Sequence, residues 1–212
     1  MKRFEIITEA DARVLDAGET VALVKGGHIT PLAADTLKAR RVTVVADDKL
    51  ESSAEGLAPA AIVRTIAIAS DHTGVSLKNA ILVALRGRGF AVDDMGTSGT
   101  DPVDYPDMAA MVGRSVARGE ADAGIVIDGA GIGSCIAANK IKGIRAAVCH
   151  DRTMARYSRE HNGANVLTMG STLITPSDAL EIVDVWLNTP MTEPRYIRRL
   201  AKIRTLEADS HR

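Results

Sequence analysis

From about Thr65 onward, short continuous apolar runs alternate with stretches whose apolar residues recur every three or four positions. IAIA (66–69), FAVDDM (90–95), AGIVID (123–128), RAAVCH (145–150) and NVLTMG (165–170) read as strands, AGIVID as a buried one. Between and after them, VSLKNAILVALRGRG (75–89), YPDMAAMVGRSVARGE (105–120), GIGSCIAANK (131–140) and the segments 152–161 and 176–188 read as helices. A basic helical pattern with Arg195, Arg198, Arg199 and Lys202 occupies roughly 192–207. Uninterrupted apolar strands alternating with helices predict a parallel sheet covered on both faces, an α/β doubly wound architecture.

A smaller α/β pattern precedes this one. Thr8 is placed to cap a helix, with Asp11 completing a capping box ahead of Ala12, Val14 and Leu15. VALV (21–24) reads as a strand with Gly26-Gly27 as its turn, Thr30-Pro31 as a second helix start, and VTVV (42–45) as a closing strand. Residues 47–60, DDKLESSAEGLAPA, are polar and small and include Gly56 and Pro59. The expected organisation is therefore an N-terminal extension at 1–46, a linker at 47–64 and a main domain at 65–212.

Composition narrows the function classes. Lys and Arg total 26 and Asp and Glu 27 in 212 residues, so no field steers polyanions, and only 3% of residues are aromatic. Nucleic acid is not an expected partner. No apolar run approaches the ~20 residues of a membrane span, and the N-terminus has no apolar signal core. Two cysteines, Cys135 and Cys149, make no disulfide framework. A cytoplasmic location is expected.

In a parallel sheet, chemistry gathers beyond the carboxyl ends of the strands. Those positions carry Ser70-Asp71-His72-Thr73-Gly74, Asp104-Tyr105-Pro106, Asp128-Gly129-Ala130-Gly131-Ile132-Gly133-Ser134, His150-Asp151 and Ser171-Thr172. The three glycines of 129–133 let backbone amides approach an anion at a helix start. The spacing differs from the dinucleotide fingerprint, and no acidic residue closes the next strand, so a nucleotide cofactor is not expected. His72 and His161 read equally as structural residues or catalysts; His28 is placed in a turn and His211 in a polar tail. No CxxC or HxxxH spacing points to a metal. Cys149 reads as a core thiol and Cys135 as a packing residue of the glycine-loop helix. Arg195 and Arg199, four apart, suit either a phosphate or a solvated face.

SDHTGVSLK, DYP at 104–106, GAGIGSCIAANKIKGIRAAVCHD, SREHNGANVLTMGS and the Arg195/Arg199 tail together resemble ribose-5-phosphate isomerase B and its galactose-6-phosphate isomerase relatives over about 65–207. The resemblance implies a Rossmann-like fold, a homodimer or pair of dimers with the active site shared across the interface, and no cofactor. It implies interconversion of ribose 5-phosphate and ribulose 5-phosphate through a cis-enediolate. The 129–134 loop, with Gly129, Gly131, Ile132 and Gly133, would stabilise the oxyanion. His161 would assist ring opening; Asn162, Asp71 and Tyr105 would face the sugar; His72, Arg195 and Arg199 would bind the phosphate.

Four positions depart from that pattern. Many members carry a catalytic cysteine where Asp128 stands, and others a glutamate base where Ser134 stands. A common loop threonine is Ala130, and an arginine is replaced at Thr172. Asp128 is the expected base, with Cys135 in reserve. The alternatives are another substrate, such as a hexose 6-phosphate, or a catalytically silent sugar-phosphate or nucleotide-binding protein. The N-terminal GGHITPLAADTLKARRVTVV is similar to segments of some enzymes of bacterial microcompartments. It points to docking on a shell or partner enzyme, or to a stabilising extension.

Overall fold

The computed structural model describes residues 2–46, 57–60 and 62–209. The chain forms two compact units, Met1–Leu57 and Ala58–Arg212. The expected linker stretch 47–56 and His211 lie outside the described residues.

The first unit is a three-stranded parallel sheet in the order β1-β2-β3, with β1 at Arg3–Ile7, β2 at Thr20–Ile29 and β3 at Thr43–Ala46. Helices α1 (Glu9–Val14) and α2 (Pro31–Ala39) make the crossovers. The Thr8/Asp11 capping box forms in both directions. Thr30 sits at the N-cap of α2 without a side-chain cap, its hydroxyl donating instead to the Ile7 carbonyl at 3.4 Å. Ile7, Ala12, Leu15, Val21, Ala33 and Leu37 fill the core.

Gly26-Gly27 is not a turn. β2 runs through it, and the register against β1 jumps from Phe4↔Leu23 to Ile6↔His28, so the pair lies in a bulge. A side chain on Gly27 would meet the Glu5 carbonyl oxygen at 2.7 Å. The bulge thus needs glycine for close approach to β1. His28, expected in the turn, is an exposed strand residue.

In the second unit, β4 (Thr65–Ser70), β5 (Ala91–Asp94), β6 (Ala123–Asp128), β7 (Ala146–Val148) and β8 (Val166–Gly170) form a parallel sheet ordered β5-β4-β6-β8-β7. The connecting helices are α3 (Val75–Gly87), α4 (Tyr105–Ala117), α5 (Ile132–Ala138), α6 (Arg152–Glu160) and α7 (Pro176–Asn188), with α8 (Pro194–Asp209) closing the chain. Strand residues alternate between two cores. Ile66, Ile68, Ile125 and Ile127 pack with Ile81 and Leu85 of α3 and with Ile182 and Trp186 of α7. Ala67, Ala69 and Val126 pack with Val112 of α4 and Ala138 of α5. Both faces are covered, which is why the central strands β4, β6 and β8 are buried and largely apolar, whereas the edge strand β5 is mostly exposed and ends on Asp93 and Asp94. Each fully buried large aliphatic side chain contributes about 1.5–3 kcal/mol.

Candidate active site

The strand order reverses between β4 and β6: the chain leaves β4 toward β5 on one side and leaves β6 toward β8 on the other. Such a switch point opens a crevice beyond the strand ends. Asp71 and Asp128 stand there, one just past β4 and one closing β6, joined by the Asp71 amide donating to the Ile127 carbonyl at 3.0 Å. Asp71 is nearly buried, and its Oδ1 accepts from the Thr73 amide (2.8 Å), the Thr73 hydroxyl (2.6 Å) and the Gly74 amide (3.2 Å). His72 Nδ1 accepts a long bond from the Val103 amide at 3.4 Å. Tyr105, the first residue of α4, lays its ring on Gly133: a Cβ there would lie 2.5 Å from Tyr105 Cε2.

The glycine loop is held from both sides. The Asp128 carboxylate, 4% exposed, accepts the Ala130 amide (2.8 Å) and the Gly131 amide on Oδ1 and the Ser134 amide (2.8 Å) on Oδ2. The carbonyl of Gly129 takes the Thr172 hydroxyl at 2.6 Å and the Thr172 amide at 3.1 Å. That of Ala130 takes His150 Nε2 at 3.0 Å, and that of Gly131 takes the Thr168 hydroxyl at 2.8 Å. Gly131 has φ +76°, and a Cβ on it would meet the Met169 carbonyl carbon at 2.7 Å, so only glycine fits. Ile132 and Gly133, first in α5, present amides that no helical carbonyl can take. The Ser134 hydroxyl is buried without a hydrogen-bond partner among the described residues.

A second cluster forms around His161. Its ring stacks on Tyr157 (centroids 4.6 Å apart, 15° between planes) and lies 4.5 Å from Tyr196 of α8. Glu160 Oε1 is 3.7 Å from His161 Nε2, and Asn162 Nδ2 donates to the Tyr157 carbonyl at 3.1 Å. Arg195 and Arg199 both lie over the Tyr196 ring, at 4.9 and 5.5 Å. Arg159 of the same motif is a core residue. It is 2% exposed, donates to the Ala164 carbonyl at 2.8 Å and sits 4.6 Å over Trp186. Burial brings it down to about 10, still charged at neutral pH.

The two clusters occupy opposite ends of the sheet. α6 begins beside the strand ends at its cap, Asp151, and runs back for nine residues, about 14 Å, to the end where β8 starts. A single chain therefore brings Asp71, His72, Tyr105, Asp128 and the 129–134 loop together. It keeps His161, Asn162, Arg195 and Arg199 apart from them.

Residues 66–203 match the family model described as Ribose/Galactose Isomerase. The chain belongs to the ribose/galactose isomerase family. It is 43% identical over 144 residues to ribose-5-phosphate isomerase B of Escherichia coli, covering 68% of this chain and 97% of that protein. It is 40% identical over 126 residues to D-erythrulose-4-phosphate isomerase of Pectobacterium atrosepticum, covering 58% and 82%. The solved ribose-5-phosphate isomerase B of Clostridium thermocellum superposes with a TM-score of 0.68 at 48% identity, over 69% of this chain and 99% of that one.

Within this isomerase, sequence reading missed the Thr168 and His150 contacts to the loop, although His150 stood just past a strand end. It also missed the tyrosine rings on His161. Cys135 Sγ donates to the Ala146 carbonyl at 3.4 Å, which turns the thiol toward β7. Cys149 is wholly buried, and burial pushes its thiol up to about 11. Among the described residues no group of three or more His, Cys, Asp or Glu could hold a metal ion, and no helix is long and apolar enough to cross a membrane.

Proposed function

We propose that this sugar-phosphate isomerase interconverts ribose 5-phosphate and ribulose 5-phosphate. The reading is carried by the convergence of Asp71, His72, Tyr105 and the Asp128-anchored loop at one switch point. In the forward direction the furanose opens: the anomeric hydroxyl gives up its proton, the C1–O4 bond breaks and O4 takes a proton. A base then removes the C2 proton while O1 takes a proton, giving the cis-enediol(ate); the same proton or one from solvent arrives at C1 as O2 gives up its proton to become the ketone. Asp128 is the base. Two of its four lone-pair sites serve Ala130 and Gly131 and one serves Ser134, leaving one on Oδ2 for the C2 proton. Ser134 fixes the direction of that oxygen through its N–H. The Ile132 and Gly133 amides stabilise the enediolate oxygens.

The working enzyme is a homodimer or a pair of dimers. Each site takes His161 for ring opening, Asn162 for the sugar hydroxyls and Arg195 and Arg199 for the phosphate from a second copy. The separation of the two clusters within one chain supports this. So do the exposed Ile132, Ile136, Tyr157, Ile203 and Leu206. Residues 1–46 form a docking or assembly module for a microcompartment shell or partner enzyme; the exposed Ile6, Val14 and Leu32 support an apolar contact. Removing residues 1–60 should leave turnover intact and abolish co-assembly. Loss of solubility or of the oligomer would instead make the segment a structural extension.

A four-carbon substrate is the second reading, favoured by the erythrulose-phosphate relative. Chemistry weighs against it: an aldotetrose phosphorylated on O4 has no furanose to open, so His161 would have no ring to act on. The test is ketose formation from four-, five- and six-carbon aldose phosphates by purified protein without added metal. The largest kcat/KM on ribose 5-phosphate supports the proposal. A larger value on another sugar moves the substrate, and saturable binding without turnover of any of them makes this a binding protein.

A further inference from the structure

We infer that Tyr157 and Tyr196 are positioning residues that clamp the His161 imidazole for ring opening, an inference that rests on the isomerase reading. The chain has three tyrosines, and two of them face this one ring. Tyr157 lies one helical turn before His161 on α6, which brings the rings into a stack at 4.6 Å and 15°. Tyr196 reaches in from α8 and closes on His161 at 4.5 Å and 32°. The terminal torsion of a histidine is soft, so an imidazole at a helix end sweeps a wide arc. Two rings packed against it restrict that arc and leave the ring edge, where Glu160 Oε1 stands 3.7 Å from Nε2, to meet a substrate.

Tyr196 has a second duty. It is 5% exposed, Arg195 and Arg199 lie over its ring, and Arg195 donates to its hydroxyl at 3.1 Å. One ring thereby spaces the ring-opening imidazole from the two guanidiniums proposed to grip the phosphate. The Tyr157 ring stacks on His161 and carries Arg156 at 4.9 Å, whereas Arg195 and Arg199 lie over Tyr196.

The two tyrosines are therefore separable in kinetics. Tyr157→Leu should lower kcat for ribose 5-phosphate by between about tenfold and a hundredfold, the range a small misplacement of a catalytic group produces, with KM little changed. Tyr196→Leu should lower kcat and raise KM together. Tyr157→Phe and Tyr196→Phe keep the rings and should restore kcat. The decisive readout is deuterium exchange at C1 of ribulose 5-phosphate in D2O. That ketose is acyclic, so its enediolate forms without a ring step. Exchange retained by Tyr157→Leu while aldose turnover falls supports the clamp. Equal loss of exchange and turnover, or unchanged turnover in a folded Tyr157→Leu protein, overturns it. Wild-type protein that neither exchanges nor turns over any sugar phosphate removes the isomerase reading itself, and the clamp with it.

Discussion

Replacing Asp128 by asparagine tests the loop and the chemistry at once. Aspartate offers two acceptor oxygens to three buried amides, whereas asparagine offers one oxygen and an NH2. With its oxygen toward Ala130 and Gly131, the NH2 faces the Ser134 N–H; flipped, it faces two donors instead of one. The first orientation is the cheaper. It turns two charge-assisted bonds into neutral ones, at about 1 kcal/mol each, and strands one buried amide at about 1–3 kcal/mol. The expected loss is about 3–5 kcal/mol. Trp186, the one tryptophan in the chain, is fully buried in the same unit and reports unfolding by fluorescence. At a urea slope near 2 kcal/mol per molar the midpoint should fall by roughly 2 M. A loss below about 1 kcal/mol would refute the amide lock. Turnover of the same variant, measured in buffer where it remains folded, should fall by at least about a hundredfold if Asp128 moves the proton. A destabilised variant with normal turnover would make Asp128 an anchor only; a stable, inactive one would make it a base that the loop does not depend on.

Three further outcomes follow from the packing. Lys78 is completely buried and pairs with Asp94, which is 27% exposed. Asp94→Asn, which strands a buried cation, should cost about 3–5 kcal/mol, and Lys78→Met, which strands a carboxylate in reach of water, less; the reverse order in urea melts would disprove the burial argument. Because burial holds the Cys149 thiol at about 11 in the fold against 9.0 when exposed, its contribution is whole below pH 9 and is lost as pH rises through 11. Cys149→Ala should then remove about 2–3 kcal/mol of the alkaline decline seen in denaturation between pH 9 and 11, and an unchanged slope would count against it. Gly133→Ala should leave stability equal or slightly higher, since alanine suits a helix better by up to about 1 kcal/mol, while displacing the Tyr105 ring and raising KM; an unchanged KM would remove Tyr105 from the sugar site.

The elements of the second unit were legible because the central strands β4, β6 and β8 are largely apolar runs and each helix carries a phased stripe; β5, at the edge, is short and ends on Asp93 and Asp94. Both signals are local. The bulge at Gly26-Gly27 was not, since two glycines between apolar residues also spell a hairpin; only the approach of Glu5 on β1 decides between them. The Asp71–Tyr105–glycine-loop grouping could be anticipated from strand ends alone, because a parallel sheet delivers every strand end to one edge. The separation of His161 from that edge needed the direction of α6. Tyr157 could have been linked to His161 by its four-residue spacing. Tyr196, on another helix, could not.

The departures at 128, 130 and 172 look independent in the sequence, as they would in a site decaying after loss of function. In the structure they converge on one loop. The carboxylate of Asp128 takes the amide of Ala130 and its two companions, and Thr172 takes the Gly129 carbonyl through both its hydroxyl and its amide. Random loss would leave the buried loop amides and carbonyls unpaired, at about 1–3 kcal/mol each. Here the peptide groups between Gly129 and Gly131 are matched, while the Ile132 and Gly133 amides at the helix start stay turned away from any helical carbonyl. A loop anchored where it needs rigidity and open where an oxyanion would sit is the arrangement that proton transfer between C1 and C2 requires. On the proposed isomerase reading, the substitutions belong to one loop rebuilt around a carboxylate.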